Sequence, residues 1–180
     1  KHSNQVSSIL KKYSINNVIS NDEQKILSCD KIIIPDTNNI IKSLRKLKLM
    51  NLMSILRLVQ KPILGINQGM ILMCNKICEL SQIGLGLINE DVVKLSAKLE
   101  GSYSIINRTK NNKSLLNMKQ DRYYFRTGLA ITANQSSDSI IKIGNTSITA
   151  SYSRQNIYGI QMCLNNSEKY CEELIITFAR

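Results

Sequence analysis

The segment richest in chemistry is Pro62-Ile63-Leu64-Gly65-Ile66-Asn67-Gln68-Gly69-Met70. Its first half is a short apolar run that reads as a buried strand, and a helical pattern begins directly after Gly-x-Asn-x-Gly. Flanking glycines, here Gly65 and Gly69, let a strand turn sharply into a helix and present the residue between them at the carboxyl edge of a sheet. The N–H of the next residue, Gln68, then points to where an oxyanion would form. An elbow of this kind performs acyl transfer when its centre is Ser or Cys. Here the centre is Asn67, whose carboxamide is a very poor nucleophile at neutral pH. Two roles stay open for it: a hydrogen-bonding partner for a ligand amide, or a residue that tolerates unusual backbone angles.

Other reactive side chains are few. The cysteines are Cys29, Cys74, Cys78, Cys163 and Cys171, and His2 is the only histidine. Cys74 and Cys78 stand four apart, on one face of the helix predicted over 68–80. A zinc site takes about four suitably spaced ligands; with one imidazole and no C-x-x-C, buried thiols in a helix are expected and no metal. An odd cysteine count without a dense framework points to a reducing compartment, with cytoplasmic placement expected. With His2 at the chain end, no Cys–His or Ser–His pair is expected in the pocket.

The elements that would position this segment alternate in type. Residues 6–13 place Val6, Ile9, Leu10 and Tyr13 at helical spacing. Lys31-Ile32-Ile33-Ile34-Pro35 reads as a strand buried on both faces. A broken helix covers 39–59, the strand 61–66 follows, then the helix 68–80. Strand, helix, strand, helix predicts βαβ units and a parallel sheet. From about residue 92, DVVKL, SYSII, RYYF, LAITA, SIIKI, SITASYS and NIYGIQM are short β-rich pieces. Residues 110–121 read as a loop. A closing helix over 167–178 has Ser167 as N-cap, with Leu174 and Ile175 facing inward. The expected architecture is a single α/β domain over 1–180, with an open, mostly parallel sheet flanked by helices and an added antiparallel β layer.

Composition narrows the class further. At 180 residues with 43% hydrophobic content, the chain has one domain's mass and can build a sizeable core. No run approaches about 18 consecutive apolar residues, so no membrane span is expected; the opening KHSNQVSSIL is not that of a signal peptide. The net charge is +11. Ile, Asn and Lys, the residues with the A/T-richest codons, supply 63 of 180 positions, and the charge is spread along the chain. A nucleic-acid reader concentrates its charge, so nucleic acid is a possible partner but not the favoured one. The densest run, Lys42, Arg45, Lys46 and Lys48, reads as a solvated helix face.

KPILGINQGM resembles the KPxLGICLGMQ segment of class I glutamine amidotransferases. GLGLINEDVVKL at 84–95 is similar to GLGLIPGxVVRL of one branch, the glutaminase subunits of imidazole glycerol phosphate synthase, which serve histidine biosynthesis. SCDKIIIP at 28–35, Ile157-Tyr158-Gly159-Ile160-Gln161 and Ile176-Thr177-Phe178 extend the resemblance. It begins after the family's first strand, whose absence here would leave two neighbouring strands without a ladder partner.

The resemblance implies a flavodoxin-like amidotransferase fold, no cofactor, and a heterodimer with a cyclase (β/α) barrel subunit. It places the family nucleophile on Asn67, the general base on Cys163 and the orienting acid on Asn165. The oxyanion loop PGVG falls on Pro35, Asp36, Thr37 and Asn38, and the Gln after the elbow on Ile71. Gly65, Gln68 and Gly69 complete the oxyanion and substrate region. YFVHSY falls on Tyr123, Tyr124 and Phe125 with Arg126-Thr127-Gly128, and the docking motif PHMGWN on 106–111. Three readings follow: a noncatalytic pseudo-glutaminase that docks on the cyclase, a repurposed basic interaction module, or a decaying protein of an A/T-rich genome.

Overall fold

The computed structural model describes residues 2–107, 118, 121–164 and 168–180. Its first sheet has six strands in the order β1 (Ile32–Ile34), β2 (Ile63–Ile66), β10 (Ile157–Ile160), β9 (Thr146–Arg154), β8 (Ser137–Ile143) and β6 (Ile106–Asn107). β1, β2 and β10 run parallel, and the other pairings are antiparallel. The second sheet, β4 (Gln82–Ile83), β3 (Cys74–Ile77), β5 (Ile88–Ser104) and β7 (Arg122–Ile131), is dominated by the long antiparallel β5–β7 ribbon. The α/β class with an added antiparallel layer holds. In the first sheet parallel order is confined to the three strands that carry the elbow; in the second, β3 runs parallel to β5.

Helices cover both faces of the first sheet. Side chains alternate along a strand, so β2 feeds two cores. Leu64 and Ile66 pack with Val6, Ile9 and Leu10 of α1 (His2–Lys12) and with Leu174, Ile175 and Phe178 of α6 (Glu168–Ala179). Ile63 packs on the opposite face with Ile40 and Leu44 of α3 (Ile40–Leu49), Leu56 of α4 (Leu52–Leu58) and Met70 of α5 (Gln68–Met73). Full burial of each such side chain is worth about 1.5–3 kcal/mol. A short helix, α2 (Glu23–Ser28), is N-capped by Asp22, whose carboxylate accepts from the Lys25 N–H at 3.0 Å. The basic run of α3 lies outward: Lys42, Arg45, Lys46 and Lys48 are exposed while Ile40 and Leu44 are buried.

Three sequence expectations need correction. The helix after the elbow ends at Met73 rather than 80; Cys74–Ile77 is strand β3, and Cys78–Leu80 a 3₁₀ turn. The carbonyls that would continue the helix are taken by the glycine-rich segment that follows. Leu85, Leu87 and Gly86 donate their N–H groups to Leu72, Met73 and Cys74. Cys74 is therefore buried in a strand and Cys78 is exposed, and they do not share a helix face.

Ile32–Ile34 is half-buried rather than buried on both faces, because β1 is the sheet's edge among the described strands. The β-rich pieces near 92 and 102 are one strand, β5, bent where its register against β7 shifts between Lys94 and Leu99. Residues 110–121, apart from Met118 and Asp121, lie outside the described residues, as does Ser167.

Candidate functional site

The site is built where β2 ends. Asn67 has φ +49° and ψ −113°, the sharp turn expected between Gly65 and Gly69. A positive φ costs a non-glycine residue on the order of 1 kcal/mol or more unless neighbours hold it. Several do: the Asn67 N–H donates to Ile160 of β10 at 2.7 Å, and its C=O accepts from Met70 and Ile71 at 3.0 and 3.3 Å. Packing requires both glycines. A Cβ on Gly69 would overlap the Ile34 carbonyl oxygen and lie 2.7 Å from that of Pro35; one on Gly65 would overlap Met73 Sδ and lie 2.7 Å from the Met70 backbone. The elbow is thereby pressed against the loop that leaves β1.

That loop delivers Asp36 to the elbow. The Asn67 side-chain Nδ2 donates to Asp36 Oδ2 at 3.1 Å, and the Gln68 N–H donates to Asp36 Oδ1 at 3.3 Å. The Thr37 N–H adds a third bond to the carboxylate, the second on Oδ1, at 2.7 Å. The N–H group that the elbow geometry aims at an oxyanion is thus bonded to the protein's own carboxylate.

His2 also belongs here, which its position in the sequence did not foretell. Its Nδ1 lies 4.0 Å from Asp36 Oδ2 and its Nε2 3.0 Å from Asn38 Oδ1. α1 starts at the carboxyl end of β1 and carries His2 to the loop that leaves β1, where its partners are Asp36 and Asn38 rather than a thiol or hydroxyl.

Cys163 follows β10, the strand beside β2 in parallel register Ile66↔Ile160, so Asn67 and Cys163 leave the same edge of the sheet. The Cys163 N–H donates to the Tyr124 carbonyl at 3.0 Å, and its side chain is partly exposed. Ile71 is fully buried in the core beneath α5. Asn165 lies outside the described residues, as do residues 108–111 of the segment 106–111. Ile106–Asn107 pairs with β8.

Gln161 went unsingled by sequence reasoning. It is fully buried, its Nε2 donates to the Leu129 carbonyl at 2.6 Å, and its Oε1 has no partner among the described residues. Asn67 Oδ1 is likewise buried and unpartnered. Two carboxamide oxygens at the ends of neighbouring parallel strands therefore meet no donor among the described residues.

Two thiols away from the elbow, those of Cys74 and Cys171, are held neutral by burial. Burial, reinforced by Glu90 and Asp91, pushes the Cys74 thiol far up, and burial, followed by Cys163, does the same for Cys171. Neither supplies a thiolate near neutral pH. Among the described residues, no group of three His, Cys, Asp or Glu side chains could hold a metal ion, and no helix is long and apolar enough to cross a membrane.

Comparison with known proteins gives a consistent result. The chain is 31% identical to the imidazole glycerol phosphate synthase subunit HisH of Leptospira borgpetersenii, with 96% of this chain and 92% of the relative covered. It is 27% identical to subunit HisH 2 of that synthase from Methanococcus maripaludis, covering 97% and 92%. A solved glutamine amidotransferase superposes with a TM-score of 0.73 at 10% identity, over 96% of this chain and 90% of the other, a likeness of fold. No family model matches the chain.

Proposed function

The chain belongs to the HisH family of class I glutamine amidotransferases, and from that membership we propose that it is a noncatalytic glutaminase-subunit homologue that docks on the cyclase subunit of imidazole glycerol phosphate synthase. The observation that carries this reading is the carboxylate of Asp36 bonded to Asn67 Nδ2 and to the Gln68 N–H.

Glutamine hydrolysis needs a nucleophilic thiolate, a proton shuttle and oxyanion donors acting as one unit. In this reading Asn67, Cys163 and Asn165 occupy the nucleophile, base and orienting-acid positions. Loss of one triad member typically costs on the order of 10⁴ to 10⁶ in rate. The Asp36 carboxylate adds an independent obstacle: a tetrahedral oxyanion would have to accumulate against a negative charge that already holds the Gln68 donor. The imidazole of His2, without a thiol or hydroxyl at the elbow, has no nucleophile to activate. The cyclase partner then works from free ammonia, and the complex is a cytoplasmic heterodimer.

Mixing the chain with a cyclase subunit of the family tests this reading. A stable complex by gel filtration is expected, with turnover supported by ammonium and not by glutamine. Glutamate release above the water blank, or a glutamyl thioester at any of the five cysteines, would overturn the noncatalytic assignment; failure to form a complex would overturn docking.

A further inference from the structure

α3 buries Ile40 and Leu44 against the first sheet and turns its opposite face to solvent. At the helical repeat, Lys42, Arg45 and Leu49 fall in one line along that face, over about 10 Å of helix. Lys46 and Lys48 flank the line, one on each side, and all five side chains are exposed. α3 holds no acidic residue. Among the described residues, no ion pair or hydrogen bond engages the side chains of the four cations.

Two features of this face have no cause within the helix. The macrodipole favours cations in the last turn, which accounts for Lys46 and Lys48, but disfavours Lys42 in the first. Lys42 also stands three and four positions from Arg45 and Lys46, spacings at which like charges repel. Leu49 is 88% exposed, more than any other large apolar side chain among the described residues, and its neighbour Met50 is 41% exposed. A cationic stripe with an apolar end has the make-up of an interface: the apolar side chain loses water on contact, and the charges select the partner.

The partner's chemistry follows from both halves of the face. A phosphate backbone would meet the cations but offer nothing to Leu49, and α3 has no aromatic side chain to stack on a base. A lipid surface calls for more inserted apolar area than Leu49 and Met50 supply. A helix with carboxylates three or four residues apart, and an apolar residue one turn further, matches the whole stripe. We propose that the Lys42–Arg45–Leu49 face of α3 docks an acidic amphipathic helix of a partner polypeptide. Its carboxylates meet Lys42 and the forked guanidinium of Arg45, and its apolar residue covers Leu49. This surface requires neither glutamine chemistry nor a cyclase.

The probe is the peptide acetyl-Ala-Leu-Ala-Gln-Glu-Ala-Gln-Ala-Glu-Ala-Gln-Leu-Ala-amide, whose Glu and Leu side chains share one helical line. It is titrated into the full chain and followed by amide chemical shifts. Shifts confined to α3 and the turn after it are expected, with a dissociation constant below about 1 mM. Affinity should fall severalfold between about 0.01 and 0.1 M salt, as the screening length drops from about 30 to about 10 Å. A peptide with Gln for both Glu residues is expected not to bind. The double variant Lys42→Glu/Arg45→Glu, at exposed positions, should lose the acidic peptide and bind one with Lys for both Glu residues. Leu49→Ala should weaken binding severalfold at unchanged Tm. No shift at millimolar peptide, binding of the Gln peptide, failure of the charge swap, or unchanged affinity in Leu49→Ala overturns the proposal. So does tighter binding of phosphatidylserine vesicles or of an oligouridylate at the same salt, which would assign the face to lipid or to nucleic acid.

Discussion

Asn67 gives its side-chain N–H to the carboxylate of Asp36 across 3.1 Å, although the two residues are 31 positions apart. The bond ties the loop leaving β1 to the turn leaving β2, which are adjacent parallel strands. The Gln68 and Thr37 N–H groups donate to the same carboxylate. Charge-assisted bonds of this kind are roughly twice as strong as neutral ones. Asp36 therefore both anchors the elbow and fills its anion-directed donor.

Removing that anchor should be measurable. Asp36→Ala is expected to lower stability by about 1–3 kcal/mol, because Asn67 Nδ2 is left buried without a partner. Asp36→Asn should cost less, since a carboxamide oxygen still accepts. Urea unfolding at constant m-value reads both, and an Asp36→Ala loss below about 0.5 kcal/mol would show the bond to be incidental.

The elbow glycines should tolerate no methyl group. Gly69→Ala drives its Cβ into the carbonyls of Ile34 and Pro35, which are backbone and cannot turn aside. A loss of about 3 kcal/mol or a failure to fold is expected. Gly128, where a Cβ meets nothing within 4 Å, serves as the control. Gly128→Ala is expected within about 1 kcal/mol of the parent in the same unfolding series.

Rebuilding the family's residues should separate the nucleophile from the oxyanion donor. The triple variant Asn67→Cys, Cys163→His and Asn165→Glu is expected to remain inactive on glutamine while Asp36 holds the Gln68 N–H. Adding Asp36→Gly frees that donor, and weak glutamate release is expected from the fourfold variant only. Activity in the triple variant would mean that Asp36 does not obstruct the site.

The buried thiols set an alkaline limit. Burial raises the Cys74 and Cys171 thiols above their ordinary value of 9.0, and raises the Tyr123 and Tyr152 hydroxyls above 10.0. In the unfolded chain these groups ionise at their ordinary values, so above that pH the unfolded state binds fewer protons than the native one. Stability is thus fully present below about pH 9 and falls as pH rises further. Thermal melts from pH 7 to 11 should show this decline, with a shallower slope in Cys74→Ala/Cys171→Ala. Alkylation followed by mass spectrometry at pH 8 should label the exposed Cys78 first, and Cys74 and Cys171 only after unfolding.

The parts of the fold legible in the sequence are those governed by local pattern. Apolar spacing placed α1, the broken pair α3 and α4, and β2; Gly-x-Asn-x-Gly between strand and helix placed the elbow. The helix over 68–80 misled because Ile71, Leu72, Cys74, Ile77 and Cys78 have helical spacing. The competing interaction, N–H groups of residues 85–87 bonding to carbonyls of 72–74, comes from chain that folds back only in three dimensions. Local propensity cannot register such a partner.

By itself, the sequence determined that an asparagine stands at a strand-to-helix turn, that His2 is the only histidine, and that the +11 charge is dispersed along the chain rather than gathered into one run. Tertiary structure decided what occupies the turn. Parallel pairing of β1 with β2 sets their exit loops side by side, so Asp36 reaches Gln68, and α1 returns His2 to the same loop. It also decided that Ile32–Ile34 pairs with β2, its only partner among the described strands. Strand neighbours are fixed by chain topology, whereas the side-chain pattern of one strand fixes only its preference for burial.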